Sequence, residues 1–520
     1  MFQRRHVLQS LLGAMTTAAL PAGGAGGAWI GAAFAAPAEA VQLGPPTPFS
    51  RAALLAQVEQ RASKPFTQVG EVSDPWKNLT YDQYRGINFD PDKGLWKNTD
   101  RPFVTEFFAP GLYFPRPISV SIVEGGSQRA VQFDKALFVR GPVVPDLPND
   151  ETLGFAGFRL RATINDPERK DEFVVFQGAS YFRAVGKGHA YGLSARGLAL
   201  NTGEPEGEEF PDFRTFWIEK PDPGAKMITV HALMDSPSVA GLYTFKITPG
   251  DETEMDVSAS LFPRVDLTHA GIAAETSMFL FDETNRNRFD DFRPAVHDSD
   301  GLLIDNGRGE RLWRPLANPK TLQKSSFVDT NPRGFGLMQR PRELAAYGDL
   351  EANYHRRPGL WVVPGEGWGE GFVTLVEIPA DKEIYDNIVA YWRPKTPLAA
   401  GQRHDFNYRL LWSSDPVADN GLARVTNTKM GKRIFKDGRV AAIEFTRPET
   451  MPNDLAKFTV HTSANRGTVE PGILQHNPAT GGLRLTFAFL PKDRSEMELR
   501  AQLMLDGKAA SEVWLYRWTK

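Results

Sequence analysis

The sequence predicts an all-β protein built from a large sandwich followed by a smaller one, and three observations carry that prediction. Apolar and polar residues alternate with period two through most of the chain. The 47 glycines and 39 prolines among 520 residues punctuate it about once every six residues, which cuts it into short strands and turns. The alternating stretches are not interleaved with the long helical patterns that a parallel sheet requires.

Taken in chain order, the first element is an address. Arg4 and Arg5 precede a modestly apolar stretch from Val7 to Leu20 and a tail rich in Ala and Gly, a pattern that resembles a twin-arginine export signal. Polar and small residues at Gln9, Ser10, Gly13, Thr16 and Thr17 leave it too short and too polar for a membrane span, so no stable membrane insertion is expected. Ala33 with Ala35, and Ala38 with Ala40, offer two A-x-A cleavage sites, and residues 1–40 are assigned to the signal, which places the mature protein in the periplasm.

Arg51 to Ser63 carries Leu54, Leu55 and Val58 at the spacing of a short amphipathic helix. From about Asn88 to Tyr408 the period falls to two, as in Phe103-Val-Thr-Glu-Phe-Phe, Ile118-Ser-Val-Ser-Ile-Val and Met227-Ile-Thr-Val-His-Ala-Leu. These read as half-buried antiparallel strands, and residues 41–412 form the first sandwich. The polar, turn-rich run from Ser413 to Gly421 marks a linker, placed at 413–425. Downstream, five alternating strands beginning at Arg439, Phe458, Leu483, Met497 and Val513 give 426–520 the size and rhythm of an immunoglobulin-like sandwich without its disulfide.

Composition removes several function classes. Lys plus Arg is 60 against 63 Asp plus Glu, with no long run of either sign, so nucleic acid is not an expected partner. The chain has no cysteine, which excludes disulfides, thiolate nucleophiles, zinc-thiolate sites and iron-sulfur clusters. No cofactor is expected.

Motifs that resemble known sites mostly fail on spacing. Gly192-Leu-Ser-Ala-Arg-Gly has its second glycine one place too late for a nucleophile elbow. Gly186-Lys-Gly-His-Ala-Tyr-Gly lacks the Gly-Lys-Ser/Thr ending of a phosphate loop. The nine histidines form no H-x-H or H-x-x-x-H pair, and no metal site is assigned, although Asp298, Asp300 and Asp305 are oxygen donors of the kind calcium takes. A bland alternative for His297-Asp-Ser-Asp-Gly is a hairpin capped by Asx turns. Around Asp349-Leu-Glu-Ala-Asn-Tyr-His-Arg-Arg-Pro-Gly-Leu-Trp, Gly365-Glu-Gly-Trp-Gly-Glu-Gly and Tyr385-Asp-Asn-Ile-Val-Ala-Tyr-Trp, acids, arginines and tryptophans alternate with glycines. A sugar cleft needs flat rings beneath pyranose faces and planar polar groups for hydroxyls; a core filled by aromatics is the competing reading.

Over essentially the whole mature chain the sequence resembles the periplasmic glucan biosynthesis proteins G and D. The resemblance is carried by Leu153-Gly-Phe-Ala-Gly-Phe, Gly178-Ala-Ser-Tyr-Phe-Arg, Tyr191-Gly-Leu-Ser-Ala-Arg-Gly-Leu-Ala, Gly207-Glu-Glu-Phe-Pro, Phe216-Trp-Ile-Glu, Thr276-Ser-Met-Phe-Leu-Phe, Trp313-Arg-Pro-Leu and Asp386-Asn-Ile-Val-Ala-Tyr-Trp. The paired arginines point to the D type. The resemblance implies a first sandwich like galactose mutarotase, an immunoglobulin-like second domain, and a role in making osmoregulated periplasmic glucans.

It also implies a reaction, inverting hydrolysis of a β-1,2-glucan backbone, with the general acid at Asp386 and the general base at Asp298. Burial among Tyr385, Tyr391 and Trp392 is expected to keep the acid protonated, while His297, Ser299 or turn amides stabilise the charge on Asp298. Carboxylates of inverting enzymes typically stand roughly 6.5–9.5 Å apart; the family's proton relay admits a wider gap, and Asp300 stands where some relatives have Asn. Tyr354, Arg356, Arg357, Trp361 and Trp368 are the candidates for holding the glucan. The competing readings are a non-catalytic factor that holds nascent glucan for a membrane glucosyltransferase and, by fold likeness alone, a sugar epimerase.

Overall fold

A computed structural model describes residues 41–492 and 495–520; residues 1–40, where the export signal is expected, lie outside the described residues. The predicted helix is Arg51–Ala62, capped by the Ser50 hydroxyl, which accepts from the Ala53 amide at 3.1 Å. It buries Leu54 and Val58 against Trp217, Leu233, Leu242 and Phe262, the apolar stripe that its spacing requires.

The remainder is β-structure arranged around three principal sheets. A nine-stranded sheet runs from Gln323–Thr330 at one edge, through Ile388–Pro394, Ala270–Ser277 and Tyr181–Ala184, to Val104–Phe108 at the other. It packs on a 16-stranded sheet, and the core between them is rich in phenylalanine. Phe158, Phe176, Phe182, Phe216 and Phe245 meet edge to face or stacked, with centroids 5.0–5.5 Å apart. Aromatic pairs in these geometries add to the area they bury.

The sequence reading treats the second sandwich as a separate unit, and the strand pairing joins it to the first. Arg311–Pro315 pairs in parallel with Val513–Thr519, so the large sheet continues through Glu496–Leu505 to Phe458–Ala464 without a break. Because side chains alternate along a strand, Gly301–Asp305 serves two cores. Leu302 and Ile304 face the phenylalanines, while Leu303 faces Phe445, Phe487 and Trp514 of the second sandwich. The five-stranded sheet that includes Val425–Lys432, Arg439–Phe445 and Leu483–Leu490 closes this second core. The connecting run 413–424 is also tied down, since Arg342 donates to the Ser414 carbonyl at 2.9 Å and the Ala423 amide to the Ala510 carbonyl at 2.8 Å. A protease nick within 413–424 is therefore expected to leave two fragments that co-elute on size exclusion under native conditions. Separation without denaturant would contradict the shared sheet.

Three tryptophans show why glycine accompanies them. The rings of Trp313, Trp361 and Trp392 lie across Gly301, Gly334 and Gly371 on the neighbouring strand, in the space a Cβ would need. Trp361 belongs to the second core. Trp368 packs among Trp392, Phe406 and Tyr408, and its indole N–H donates to the Asn407 carbonyl at 3.2 Å.

One buried acid spans the two layers of the first sandwich. Glu275, fully buried in the nine-stranded sheet, accepts from the Leu337 amide of the large sheet at 2.8 Å through Oε2, while Oε1 has no partner. Burial pushes its carboxyl well above the ordinary value of 4.5. A group whose folded-state pKa is raised stabilises most below its unfolded pKa, and that contribution is lost as pH rises toward the folded pKa. Above about pH 4.5 Glu275 should cost about 1.4 kcal/mol per pH unit until the folded-state value is reached. Denaturant midpoints measured against pH should show Glu275→Gln with a shallower decline than the parent; parallel curves would contradict it.

Candidate functional site

The chain brings Asp298, which follows a short hairpin, and Asn387, which follows Asp386, to the same hairpin. Phe279–Phe281 pairs with Val296–His297, and Asp298, the next residue, donates its amide to the Met278 carbonyl at 2.8 Å. Asn387 grips the same hairpin, its carboxamide oxygen accepting from the Phe279 amide at 2.8 Å and its nitrogen donating to the Phe279 carbonyl at 2.9 Å. Asp386 thus enters at the start of Ile388–Pro394 beside the strand that presents Asp298.

Both carboxylates are buried, Asp298 being 2% and Asp386 7% exposed. Arg357 donates directly to Asp298 Oδ1. Its other donors go to the Ala352 carbonyl at 3.1 and 2.9 Å, and its guanidinium lies 4.3 Å from the Tyr354 ring centroid. Gly192 leaves room for this arginine, because a Cβ there would stand 2.9 Å from Arg357 Cβ. Burial pushes the Asp298 carboxyl up, and the charges of Arg357 and Arg183 pull it back. Arg183 Nη2 is 3.9 Å from Asp386 Oδ2, and its positive charge helps to lower the Asp298 carboxyl.

A second ring of contacts holds the loops. The Tyr354 hydroxyl donates to Glu383 at 3.2 Å, and Arg293 bridges Glu383 at 2.7 Å and Asp349 at 2.8 Å, which ties the loop before Asp386 to the loop before Arg357. Arg356 lies exposed at the rim, donating to the Gly188 carbonyl at 3.0 and 2.8 Å.

Several expectations change. His297 does not stabilise Asp298: its Nδ1 faces Gln339 Oε1 at 2.8 Å, its ring stacks on Phe279, and burial pushes its pKa down to about 4. Ser299 is taken by Ser277 at 2.9 Å. Tyr391 and Trp392 lie further along the strand, packed in two different clusters, so of the three expected rings only Tyr385 adjoins Asp386. Trp361 and Trp368 are packed elsewhere, as described above. The acids considered for calcium diverge, with Asp300 accepting from the Arg340 amide at 3.0 Å and Asp305 held by both ends of the Arg311 guanidinium at 2.7 Å. Ser194 opens the strand Ser194–Leu200 rather than a strand-to-helix turn.

Sequence reasoning missed Arg183, Glu383, Arg293 and Asn387. Arg183 ends the Gly178-Ala-Ser-Tyr-Phe-Arg block, and a strand arginine ordinarily reads as solvent-facing. The dipeptide Asp386-Asn387 carried the only local signal for the clamp.

The fold is thus two β-sandwich cores, with two buried acids, Asp298 and Asp386, held beside arginines in the first. A family model described as "Periplasmic glucan biosynthesis protein, MdoG" matches residues 49–518, and the chain belongs to that family, which is periplasmic by description. It is 48% identical over 462 residues to glucans biosynthesis protein G of Shewanella frigidimarina, covering 88% of this chain and 82% of the relative. It is 47% identical over 475 residues to glucans biosynthesis protein G of Vibrio cholerae serotype O1, covering 91% and 87%. These relatives carry the G designation, which replaces the D type inferred from Arg4 and Arg5. Among the described residues no helix is long and apolar enough to cross a membrane.

Proposed function

We propose that this periplasmic protein cleaves the β-1,2-glucan backbone by inverting hydrolysis, with Asp386 as general acid and Asp298 as general base. The observation that supports this reading is a pair of buried carboxylates on either side of one hairpin contact: Asp298 follows the hairpin strand, and Asp386 precedes the Asn387 that clamps it. Asp298 suits the base: burial raises its carboxyl above the ordinary value, which makes the carboxylate a better proton acceptor, while the charges of Arg357 and Arg183 oppose that rise. Asp386 delivers the proton to the departing glycosidic oxygen as the C–O bond breaks, and water, giving its proton towards Asp298, adds to the opposite face of the sugar ring. Tyr354 and Arg357 act by holding Asp298, and Arg356 is placed to meet glucan at the rim.

The relatives' names speak of biosynthesis, which favours a second reading: a non-catalytic factor that holds glucan for a membrane glucosyltransferase. Incubating the purified mature protein with linear β-1,2-glucan separates them. Shorter oligomers of inverted anomeric configuration support the hydrolase; intact polymer under saturating binding supports the holding factor.

Export by the twin-arginine route is part of the same proposal, supported by Arg4 and Arg5 ahead of the apolar stretch. Replacing both with Lys should leave precursor in the cytoplasm, read by fractionation. Normal periplasmic accumulation would contradict the route.

A further inference from the structure

Trp361 and Trp368 are packed inside, so the rings expected to lie under sugar faces must come from elsewhere. The loop 286–293 carries one in the open. Of its two phenylalanines, Phe289 stacks on Phe281 with centroids 5.0 Å apart, whereas Phe292 is 81% exposed. Single exposed apolar residues are ordinary on slack loops, and this loop is not slack. Arg286 donates to the carbonyls of Asp291, Phe292 and Arg293 at 3.0, 3.4 and 3.0 Å. Arg293 folds back on Asp291, its Nε and Nη2 donating to the carboxylate at 3.0 and 2.8 Å, and its amide donates there at 2.9 Å. Two arginines thus fix the backbone on both sides of a ring that is turned to water.

Arg293 also gathers two further loops. Its Nη1 meets Asp349 Oδ2 at 2.8 Å and Glu383 Oε2 at 2.7 Å. Leu350, which follows Asp349, is 78% exposed, and Ile384, which follows Glu383, is exposed as well. One guanidinium therefore brings together three loops, each with an open apolar side chain a single position from a residue in its network. The same network runs on to the acids. Glu383 accepts from the Tyr354 hydroxyl at 3.2 Å, the Arg357 guanidinium lies over the Tyr354 ring, and Arg357 donates to Asp298. Asp386 is three residues beyond Glu383. Three side chains are too few for a stable protein interface, which takes about 800 Å² per partner. A fixed ring ringed by carboxylates and arginines does suit a pyranose, which offers an apolar face and a hydroxyl edge, and a platform already held in place spends nothing on being ordered when it binds.

We propose that Phe292, together with Leu350 and Ile384, is a stacking platform for units of a glucan chain that lie outside the pair flanking the cleaved bond. The proposal rests on the reading of Asp386 and Asp298 as the site that glucan enters. Phe292 is then a residue that sets the preference for chain length: long glucan reaches the platform, and a short oligomer seated at the acids does not.

Calorimetric titration of the mature chain with long linear β-1,2-glucan and with short β-1,2-linked oligomers tests this, with hydrolysis rates measured on both. Phe292→Ala is expected to weaken binding of the long chain by about tenfold, the effect of one stacked ring, and to raise its KM in parallel with little change in kcat. Short oligomers should bind this variant as they bind the parent. Phe292→Trp should restore affinity for the long chain, which a merely structural role for the residue would not produce, and Leu350→Ser should give a smaller loss in the same direction. Because these side chains face water, thermal unfolding midpoints should match the parent. The two readings fail separately. A parent that binds long glucan through Phe292 yet releases no oligomers loses the hydrolytic reading and keeps the platform. Unchanged affinity for long glucan in Phe292→Ala, equal loss for short and long glucan, or a Trp variant no better than Ala overturns the platform. So does a parent dimer, read by sedimentation, that Phe292→Ala dissociates while glucan binding stays intact, since the ring then meets a second copy of the chain.

Discussion

Asp386→Asn is expected to lower turnover of β-1,2-glucan by about 10² to 10⁴ while leaving glucan binding largely intact. The substitution keeps the shape of the side chain next to the Asn387 clamp, so the hairpin contacts at Phe279 should survive, but an amide has no proton to give the leaving oxygen. Asp298→Asn should cripple turnover as well, because an amide cannot take the proton from water. The two variants differ in a second measurement. An aryl glycoside departs without protonation, so it should rescue Asp386→Asn far better than Asp298→Asn. Asp298→Asn also leaves Arg357 beside a neutral partner in a buried site, and thermal unfolding of both variants should be recorded with the rates. Near-normal hydrolysis of glucan by either variant, or equal rescue of both, would show the roles to be misassigned.

The strands were legible because their signal is local. Alternation at Arg439-Val-Ala-Ala-Ile-Glu-Phe and Leu483-Arg-Leu-Thr-Phe-Ala-Phe reports one buried face, and the observed strands Arg439–Phe445 and Leu483–Leu490 follow that pattern. The two acids were placed by resemblance, since no local pattern links positions 298 and 386; what joins them is Asn387 reaching a hairpin more than 100 residues earlier. The tryptophans misled for a physical reason. Glycines near Trp361 and Trp368 looked like the small residues of an open sugar cleft, yet Gly334 lies beneath the Trp361 ring on an adjacent strand. A glycine in a sheet leaves a gap that a cross-strand aromatic fills, and composition cannot distinguish that from a ring left open for a ligand. The junction between the sandwiches was illegible for a similar reason. A turn-rich run at Ser413 reports a chain leaving its strand and says nothing about Trp313 and Trp514 meeting in one ladder.

That junction is where the largest loss of stability is expected. Arg340 and Glu512 form an ion pair at 2.6 Å with side chains 7% and 0% exposed. Glu512 also accepts from the Val425 amide at 2.8 Å, at the first residue of the second sandwich's sheet. Arg340 in turn donates to the Val425 carbonyl, and its guanidinium lies 3.5 Å from the Trp313 ring centroid. Every polar partner of the pair thus lies at the seam. Removing one member of such a pair typically costs about 3–5 kcal/mol, because the other is left charged in a dry environment. Glu512→Ala should therefore lower the denaturation midpoint far more than Arg409→Ala, whose partners Asp256 and Glu254 are open to water. Replacing both Arg340 and Glu512 by apolar residues should cost less than Glu512→Ala alone, since no unpaired charge remains. If the single and double variants lose the same stability, the penalty lies in packing and not in the stranded charge. If Glu512→Ala unfolds like the parent, the seam is held by the shared sheet alone.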